Sequence, residues 1–182
     1  MENNASSAGV FHGGLFNTAD IKILICYILS AVNEPVNANM LVNVLHYEGI
    51  ANAFEISDAI ISLSQSGQIA LTDTSDEFYV ITDSGRDVAK TLHSSLSATV
   101  KDRAYLAILK MVSKFKNAKD TSFEITTENG NKYITCSALD GQKPFISIKM
   151  LITDEAQGQC IKEKFLEKPS EIYSKIIELL TK

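Results

Sequence analysis

Three apolar stripes with helical spacing constrain what residues 18–89 can fold into. The first predicted helix begins at Thr18, with Asn17 or Thr18 as its cap, and ends before Pro35. Three groups of apolar residues recur at this spacing: Ile21, Leu24, Ile25, Ile28 and Leu29; Met40, Leu41, Val44 and Leu45; Ile56, Ala59, Ile60 and Leu63. Each helix therefore turns one face to a shared core, and the pattern predicts a small helical domain.

A short hairpin and a fourth helix complete this segment. Gly67 stops the third helix, because glycine is the usual residue just past a helix end. Residues 68–71 and 77–81 are predicted as two strands that are joined by a turn at 73–76. Thr82 is suited to cap a fourth helix, which begins at Asp83. The predicted order is three helices, a hairpin and a helix.

Several phrases of this segment resemble a known group of proteins. The phrases lie at residues 56–69, which include Ser66-Gly67-Gln68-Ile69, and at residues 79–86, which end in Thr82-Asp83-Ser84-Gly85-Arg86. They resemble bacterial winged helix-turn-helix regulators of the PadR- and MarR-like group. Three further phrases are similar to an uncharacterised bacterial family with a winged helix followed by an α+β tail: Asp20-Ile21-Lys22-Ile23-Leu24, Glu34-Pro35-Val36 and residues 171–177. The resemblance implies a fold most often used to bind duplex DNA.

The second half of the chain changes from helical to alternating spacing. One long helix is predicted over residues 97–117, and three strands follow at 121–127, 131–138 and 143–153. Asn129-Gly130 is the strongest short signal for a hairpin turn. The apolar face of this sheet needs a cover, which helices at 154–167 and 170–180 supply, the second with Leu180 inward. The predicted fold class is α+β: an N-terminal winged helix, a long connecting helix, and a three-stranded antiparallel sheet covered by two helices.

The predicted organisation has four parts. A flexible arm at residues 1–17 precedes a winged-helix domain at 18–96, a connecting or dimerisation helix at 97–119, and an α+β domain at 120–182. The long helix carries two apolar stripes, which is more than contact with one small domain requires. Either the two domains cover one stripe each, or one stripe pairs with a second subunit. A homodimer is expected.

Nothing in the residue pattern predicts catalysis, a metal site or a cofactor. The three histidines have no Cys, Asp or Glu at metal-ligand spacing, and no glycine-rich phosphate-binding motif occurs. Cys26, Cys136 and Cys160 are scattered, and we expect inward-facing reduced thiols. The N-terminus lacks a signal-peptide pattern, and no apolar stretch is long enough to span a bilayer. A cytoplasmic protein that is not an enzyme is expected.

The charge pattern bears on the partner. Residues 1–96 carry three basic and eleven acidic side chains, whereas residues 97–182 carry fourteen basic and eleven acidic ones. Because Lys and Arg supply most non-specific DNA affinity, we expect the winged-helix segment alone to bind DNA poorly. The outward face of the third helix offers Asp58, Ile61, Ser62 and Gln65 to a major groove. The candidate phosphate contacts are Arg86, Lys90, Arg103, Lys110 and Lys114.

Two functions follow from the sequence. The first is a transcriptional regulator that binds double-stranded DNA and uses its C-terminal domain for sensing or assembly. The alternative is a winged-helix module that binds a protein partner instead of DNA, which the acidic charge and the outward Ile61 favour. The C-terminal domain is a further candidate for binding a small-molecule ligand, whose identity nothing in the sequence indicates.

Overall fold

A computed structural model of the chain describes residues 14–15, 17–72 and 77–182. The chain divides into two compact units, Met1–Met111 and Val112–Lys182. Each unit combines helices with a three-stranded antiparallel sheet, which confirms the α+β fold class. Most of the predicted arm at 1–17 and the hairpin turn at 73–76 lie outside the described residues.

The first unit intersperses helices with short strands. In chain order its elements are α1 (Thr18–Val32), β1 (Val36–Asn37), α2 (Ala38–Tyr47), α3 (Ala53–Gln65), β2 (Ile69–Leu71), β3 (Phe78–Ile81) and α4 (Asp83–Leu92). A 3-10 turn, His93–Ser95, then leads to α5 (Ala98–Lys119), which extends into the second unit. The strands lie in the order β1-β3-β2. The sequence pattern does not predict β1, because this strand is two residues long and is defined by its pairing with β3.

The central helix of the first unit is α1, as its apolar stripe predicts. The Asn17 side chain caps it by accepting a hydrogen bond from Ala19 N–H at 2.9 Å. Its buried residues are Ile21, Leu24, Ile25, Cys26, Ile28 and Leu29. Asn33 ends the helix with a φ of 53°, a left-handed conformation that asparagine tolerates better than most residues. Both α3 and α4 pack against α1, so this helix orients them.

The second unit is an antiparallel meander with helices on one face. β4 (Thr121–Glu128), β5 (Asn131–Asp140) and β6 (Lys143–Ile152) pair in chain order, which confirms the predicted meander. Asn129 and Gly130 both have positive φ, as a tight two-residue hairpin turn requires, so the turn is confirmed too. The core between sheet and helices consists of Ile134, Cys136, Ala138, Ile152 and Phe165.

The two C-terminal helices cover this sheet unequally. α6 (Glu155–Glu167) is capped by Asp154 and packs against all three strands. α7 (Pro169–Thr181) is described over its whole length, and none of its residues is buried. Ile172, in its first turn, packs against the core, and the neighbouring Tyr173 ring contacts the half-exposed ring of Phe145. The prediction that Leu180 faces the core is wrong, because this side chain is 78% exposed.

The long helix α5 buries one stripe. Val100, Ala104 and Ile108 are buried at a spacing of four residues, whereas Leu109 and Met111 remain exposed. The boundary between the two compact units falls within α5, after Met111. This helix therefore belongs to both units.

The cysteines differ in their surroundings. Cys26 and Cys136 are buried as predicted, and this burial raises the pKa of the Cys26 thiol to about 11 and raises that of Cys136 as well. The same prediction is wrong for Cys160, which is exposed. α6 turns Gly158 and Phe165 toward the sheet, and position 160 lies off the stripe that these residues define.

We predict that a maleimide labels Cys160 in the native protein and spares Cys26 and Cys136. The physical reason is that the reactive species is the thiolate, which burial disfavours in the latter two residues. Intact-mass spectrometry at neutral pH should show one added label, and three after unfolding. A Cys160→Ser variant should take up no label while folded, and rapid labelling of this variant would contradict the described packing.

Candidate nucleic-acid interface

Two successive helices, α2 and α3, form the candidate reading surface. The Asn37 side chain caps α2 by accepting from Met40 N–H at 3.2 Å, and the Asn52 side chain caps α3 by accepting from Phe54 N–H at 2.9 Å. Between them the chain turns through Gly49, whose φ is 63°. The predicted inward residues of α3 are all buried: Ile56, Ala59, Ile60 and Leu63. This burial fixes which side of α3 faces outward.

The outward side of α3 holds the four residues that the sequence predicts there. Asp58, Ile61 and Gln65 are exposed, with Ile61 54% exposed, and Ser62 is partly exposed. Glu55, one turn earlier, accepts a hydrogen bond from the Thr18 hydroxyl at 2.8 Å. Because this contact joins α3 to the start of α1, Glu55 has a structural partner. Asp58 is then the acidic group most available to a ligand on this face.

Two large aromatic side chains near the turn are absent from the sequence-based candidates. Tyr47, the last residue of α2, is 84% exposed, and Phe54, in the first turn of α3, is 83% exposed. Phe54 lies on the same side of α3 as Asp58 and Ile61, which follow it at helical spacing. The sequence could have predicted the exposure of Phe54, because this residue lies outside the buried stripe of Ile56, Ala59 and Ile60. The face is therefore more apolar than the four predicted residues indicate.

The phrase Thr-x-x-Gly-Arg joins α4 to the hairpin. The Thr82 hydroxyl donates to the Gly67 carbonyl oxygen at 2.7 Å and accepts from Gly85 N–H at 3.2 Å. Gly85 is buried so closely that an added Cβ would lie 2.1 Å from the Gln68 carbonyl oxygen and 2.5 Å from Ile81 Cδ1. A side chain at this position cannot be accommodated without moving backbone. The glycine of the phrase is thus a packing requirement.

Arg86, a candidate phosphate contact, has a structural partner. Its Nη2 donates to Asn33 Oδ1 at 2.8 Å, and this bond joins α4 to the C-terminal cap of α1. Arg86 also lines the α1–α4 cleft, a cavity of about 670 Å³. Tyr27, Ser30 and Ala31 form its α1 side, and side chains between Asp83 and His93 form its α4 side.

Lys90, the second candidate on α4, also lines the α1–α4 cleft. Asp83 and Asp87 line it as well, so acids and bases are interspersed there. The His93 ring stacks on Tyr27 at 5.8 Å, and Lys101 Nζ donates to the His93 carbonyl oxygen at 3.0 Å. Arg86 and Lys90 therefore lie together in the α1–α4 cleft and are not among the residues of the α3 face.

The three candidates on α5 differ in their surroundings. Arg103 is partly exposed, and its buried Nε has no hydrogen-bond partner among the described residues. Lys110 is exposed and belongs to the first unit, whereas Lys114 belongs to the second. Lys114 forms an ion pair with Glu167 at 3.0 Å. That pairing reduces its availability to an external phosphate.

The described residues contain neither a cluster of metal ligands nor a membrane-spanning helix. Among them no group of three or more His, Cys, Asp or Glu side chains is arranged to hold a metal ion. None of the helices in the same part of the chain is long and apolar enough to cross a membrane.

Comparison with known proteins identifies the family. A family model described as a domain of unknown function, DUF4364, matches residues 21–180. Because this match covers most of the chain, the protein belongs to the DUF4364 family. Comparison with curated proteins gives no match. Comparison with solved structures gives none either.

We predict that Gly85→Ala lowers the free energy of unfolding by about 2–3 kcal/mol, because the new methyl group would overlap backbone at the start of β2. Thermal or urea unfolding measures the change. Ser84→Ala is the matched control, since Ser84 is the exposed neighbour in the same helical turn, and we expect it to be near neutral. A Gly85→Ala protein as stable as the control would contradict the close approach.

We also predict that Arg86→Ala costs about 1 kcal/mol of stability, because the hydrogen bond to Asn33 is charge-assisted but exposed. Lys90→Ala is the control, and we expect little change from it. A double-mutant cycle of Arg86→Ala with Asn33→Gly isolates the pairwise contribution. A coupling free energy indistinguishable from zero would mean that Arg86 has no structural role.

Proposed function

We propose that residues 18–96 form a winged-helix domain and that the protein is a cytoplasmic, dimeric, DNA-binding transcriptional regulator. The observation that carries the proposal is the uncovered outward face of α3, which follows α2 across a short turn. The order of elements from α1 to α4 and the sheet order β1-β3-β2 support the fold assignment. The second unit is proposed as the sensing or assembly part.

The α3 face has the dimensions and side chains of a base-reading helix. Its thirteen residues extend about 20 Å at about 1.5 Å per residue, and a major groove about 12 Å wide admits one helix. Gln65 can form paired hydrogen bonds with adenine, and Ile61 can contact a thymine methyl group. Ser62 can bond to any base edge. These contacts specify sequence.

Contacts to phosphate must come largely from neutral groups. α2 and α3 are fully described and contain neither lysine nor arginine. Asn39, Asn43 and Tyr47 are exposed on α2, and side chains of these types bind phosphate oxygens in many complexes. Because few counterions would be released, the affinity should depend weakly on salt.

The test is selection of binding sites from a random duplex library with the full-length protein at low salt. We expect an enriched sequence whose affinity has a salt slope equivalent to about two or three phosphates. Gln65→Ala should weaken binding about tenfold and relax preference at one position of the site. Gln159→Ala, at an exposed α6 position, is the control. Failure to enrich any sequence, with no salt-dependent retention of duplex, would refute DNA binding.

A second candidate function rests on a different observation, the exposed aromatic side chains near the turn. Tyr47, Phe54 and Ile61 expose apolar surface around Asp58, where a phosphate backbone would meet a carboxylate. Aromatic residues are enriched where proteins bind proteins, and charged residues are depleted from interface centres. The alternative is therefore that the same face binds a protein partner with apolar and basic side chains.

Asp58→Lys separates the two functions. Replacing the acid by a base should strengthen duplex binding about tenfold if DNA is the partner, because one repulsion becomes one phosphate contact. It should weaken the complex if the partner is a basic protein surface. Phe54→Ser should lower protein binding strongly and duplex binding little, since aromatic side chains dominate interface energies. Crosslinking in the native host, followed by mass spectrometry, identifies the partner.

A further inference from the structure

The outward side of α4 carries four charged side chains in a particular order. Asp83, Arg86, Asp87 and Lys90 all line the α1–α4 cleft, as does the buried Ala89, whereas Gly85 is buried against the hairpin. The four charges extend over about two turns, or roughly 10 Å. Along the helix their signs are negative, positive, negative and positive. We refer to these four residues as the α4 charge stripe.

No ion pair joins these four side chains to one another, although all of them lie in the described part of the chain. Like charges lie four residues apart in this stripe, and the opposite charges of Asp83 with Arg86 and of Asp87 with Lys90 lie three apart, so helical spacing gives both repulsion and attraction within it. Arg86 is held in place by Asn33. The stripe therefore presents charges of both signs to whatever occupies the cleft.

This order of signs is self-complementary. When two copies of α4 lie antiparallel across a two-fold axis centred between Arg86 and Asp87, Asp83 of each copy meets Lys90 of the other. Arg86 of each copy then meets Asp87 of the other. A two-fold interface uses the same surface on both subunits, so it requires a pattern that complements itself under rotation. The α4 charge stripe has such a pattern.

We propose that the α4 charge stripe and the α1–α4 cleft form a two-fold interface with a second copy of this chain. A second copy can approach the cleft, because the α1 side of the cleft includes the small side chains of Ser30 and Ala31. The stacked rings of Tyr27 and His93 border the cleft and supply apolar surface next to the ion pairs. A second copy presents matching charges by symmetry, whereas a ligand of one charge would meet as much repulsion as attraction.

This inference names the surface for the dimer of the proposed function and rests on that dimeric state, but it does not require DNA binding. Retention of duplex and self-association are separate measurements. A protein that dimerises through α4 and binds no duplex refutes only the proposed regulator. A monomer that binds duplex refutes the interface and the dimeric state but leaves the proposed DNA binding intact.

The experiment exchanges charges in the full-length protein and measures self-association by sedimentation equilibrium at low salt. We expect a dimer in the wild type that weakens at high salt, since partly exposed ion pairs are screened. Lys90→Glu places a like charge opposite Asp83 on each side of the axis, and Asp83→Lys does the same opposite Lys90. Each should weaken the dimer about tenfold or more, because the pair changes from attraction to repulsion on both sides of the axis. Arg86 is left intact because it holds Asn33.

The decisive step is to mix the two variants. In the mixed dimer, the new lysine of the Asp83→Lys chain faces the new glutamate of the Lys90→Glu chain. On the other side of the axis, the unchanged Lys90 of the first chain faces the unchanged Asp83 of the second, so association should return to the wild-type level. The double variant Asp83→Lys/Lys90→Glu should also dimerise. Lys143→Glu and Asp140→Lys, at exposed positions of the second unit, are the matched controls and should leave dimerisation unchanged.

Melting temperatures show whether each variant is folded. Asp83 lies in the first turn of α4, where its charge favours the helix, so its replacement carries a small stability cost. Lys90→Glu leaves that turn unchanged, so this variant is sufficient by itself to test the interface. A wild type that stays monomeric, a folded Lys90→Glu variant that dimerises like the wild type, or mixed variants that fail to associate would each overturn the proposal.

Discussion

The absence of a side chain at Gly85 allows α4 to lie close against the Gln68 carbonyl oxygen at the start of the hairpin. The neighbouring hydroxyl of Thr82 bonds to the same turn, and Arg86 bonds to the cap of α1. Three residues of one phrase therefore join α4, the hairpin and α1. Because these contacts set the position of α4, they also determine which of its side chains face outward. The charged surface of the first unit depends on a packing constraint in its interior.

Much of the fold follows from the spacing of apolar residues. The stripe from Ile21 to Leu29 and the alternation around Ile134 reflect burial, which is a local consequence of helical or strand periodicity. Features that depend on distant pairing could not be predicted in this way. β1 exists because Val36 meets Tyr79, and two residues carry no periodicity. The exposure of Leu180 likewise depends on how far α7 extends beyond its contacts with the core, which the amphipathic pattern alone does not reveal.

The candidate site likewise contains some features that the sequence predicts and others that it does not. The outward placement of Asp58, Ile61 and Gln65 follows from the burial of the opposite side of α3, so it was predictable. The roles of the cations could not be predicted from the sequence. Arg86 bonds to a residue fifty-three positions earlier, and Lys114 pairs with Glu167 on α6. A positive charge in the sequence indicates an available phosphate contact only when no internal partner takes it, and such partners are set by tertiary structure.

In the proposed function, the distribution of charge links DNA binding by the α3 face to assembly. A helix pair without lysine or arginine gains little from counterion release, so a single copy would hold duplex weakly. Joining two such copies raises the effective concentration of the second at its half-site, which increases affinity without any new contact to phosphate. Self-complementary charges on α4 would allow the chain to form that pair. In the proposed regulator, the cations of the first unit would serve DNA binding indirectly, by holding two weakly binding copies together, and the acidic character of the domain is compatible with binding only as a dimer.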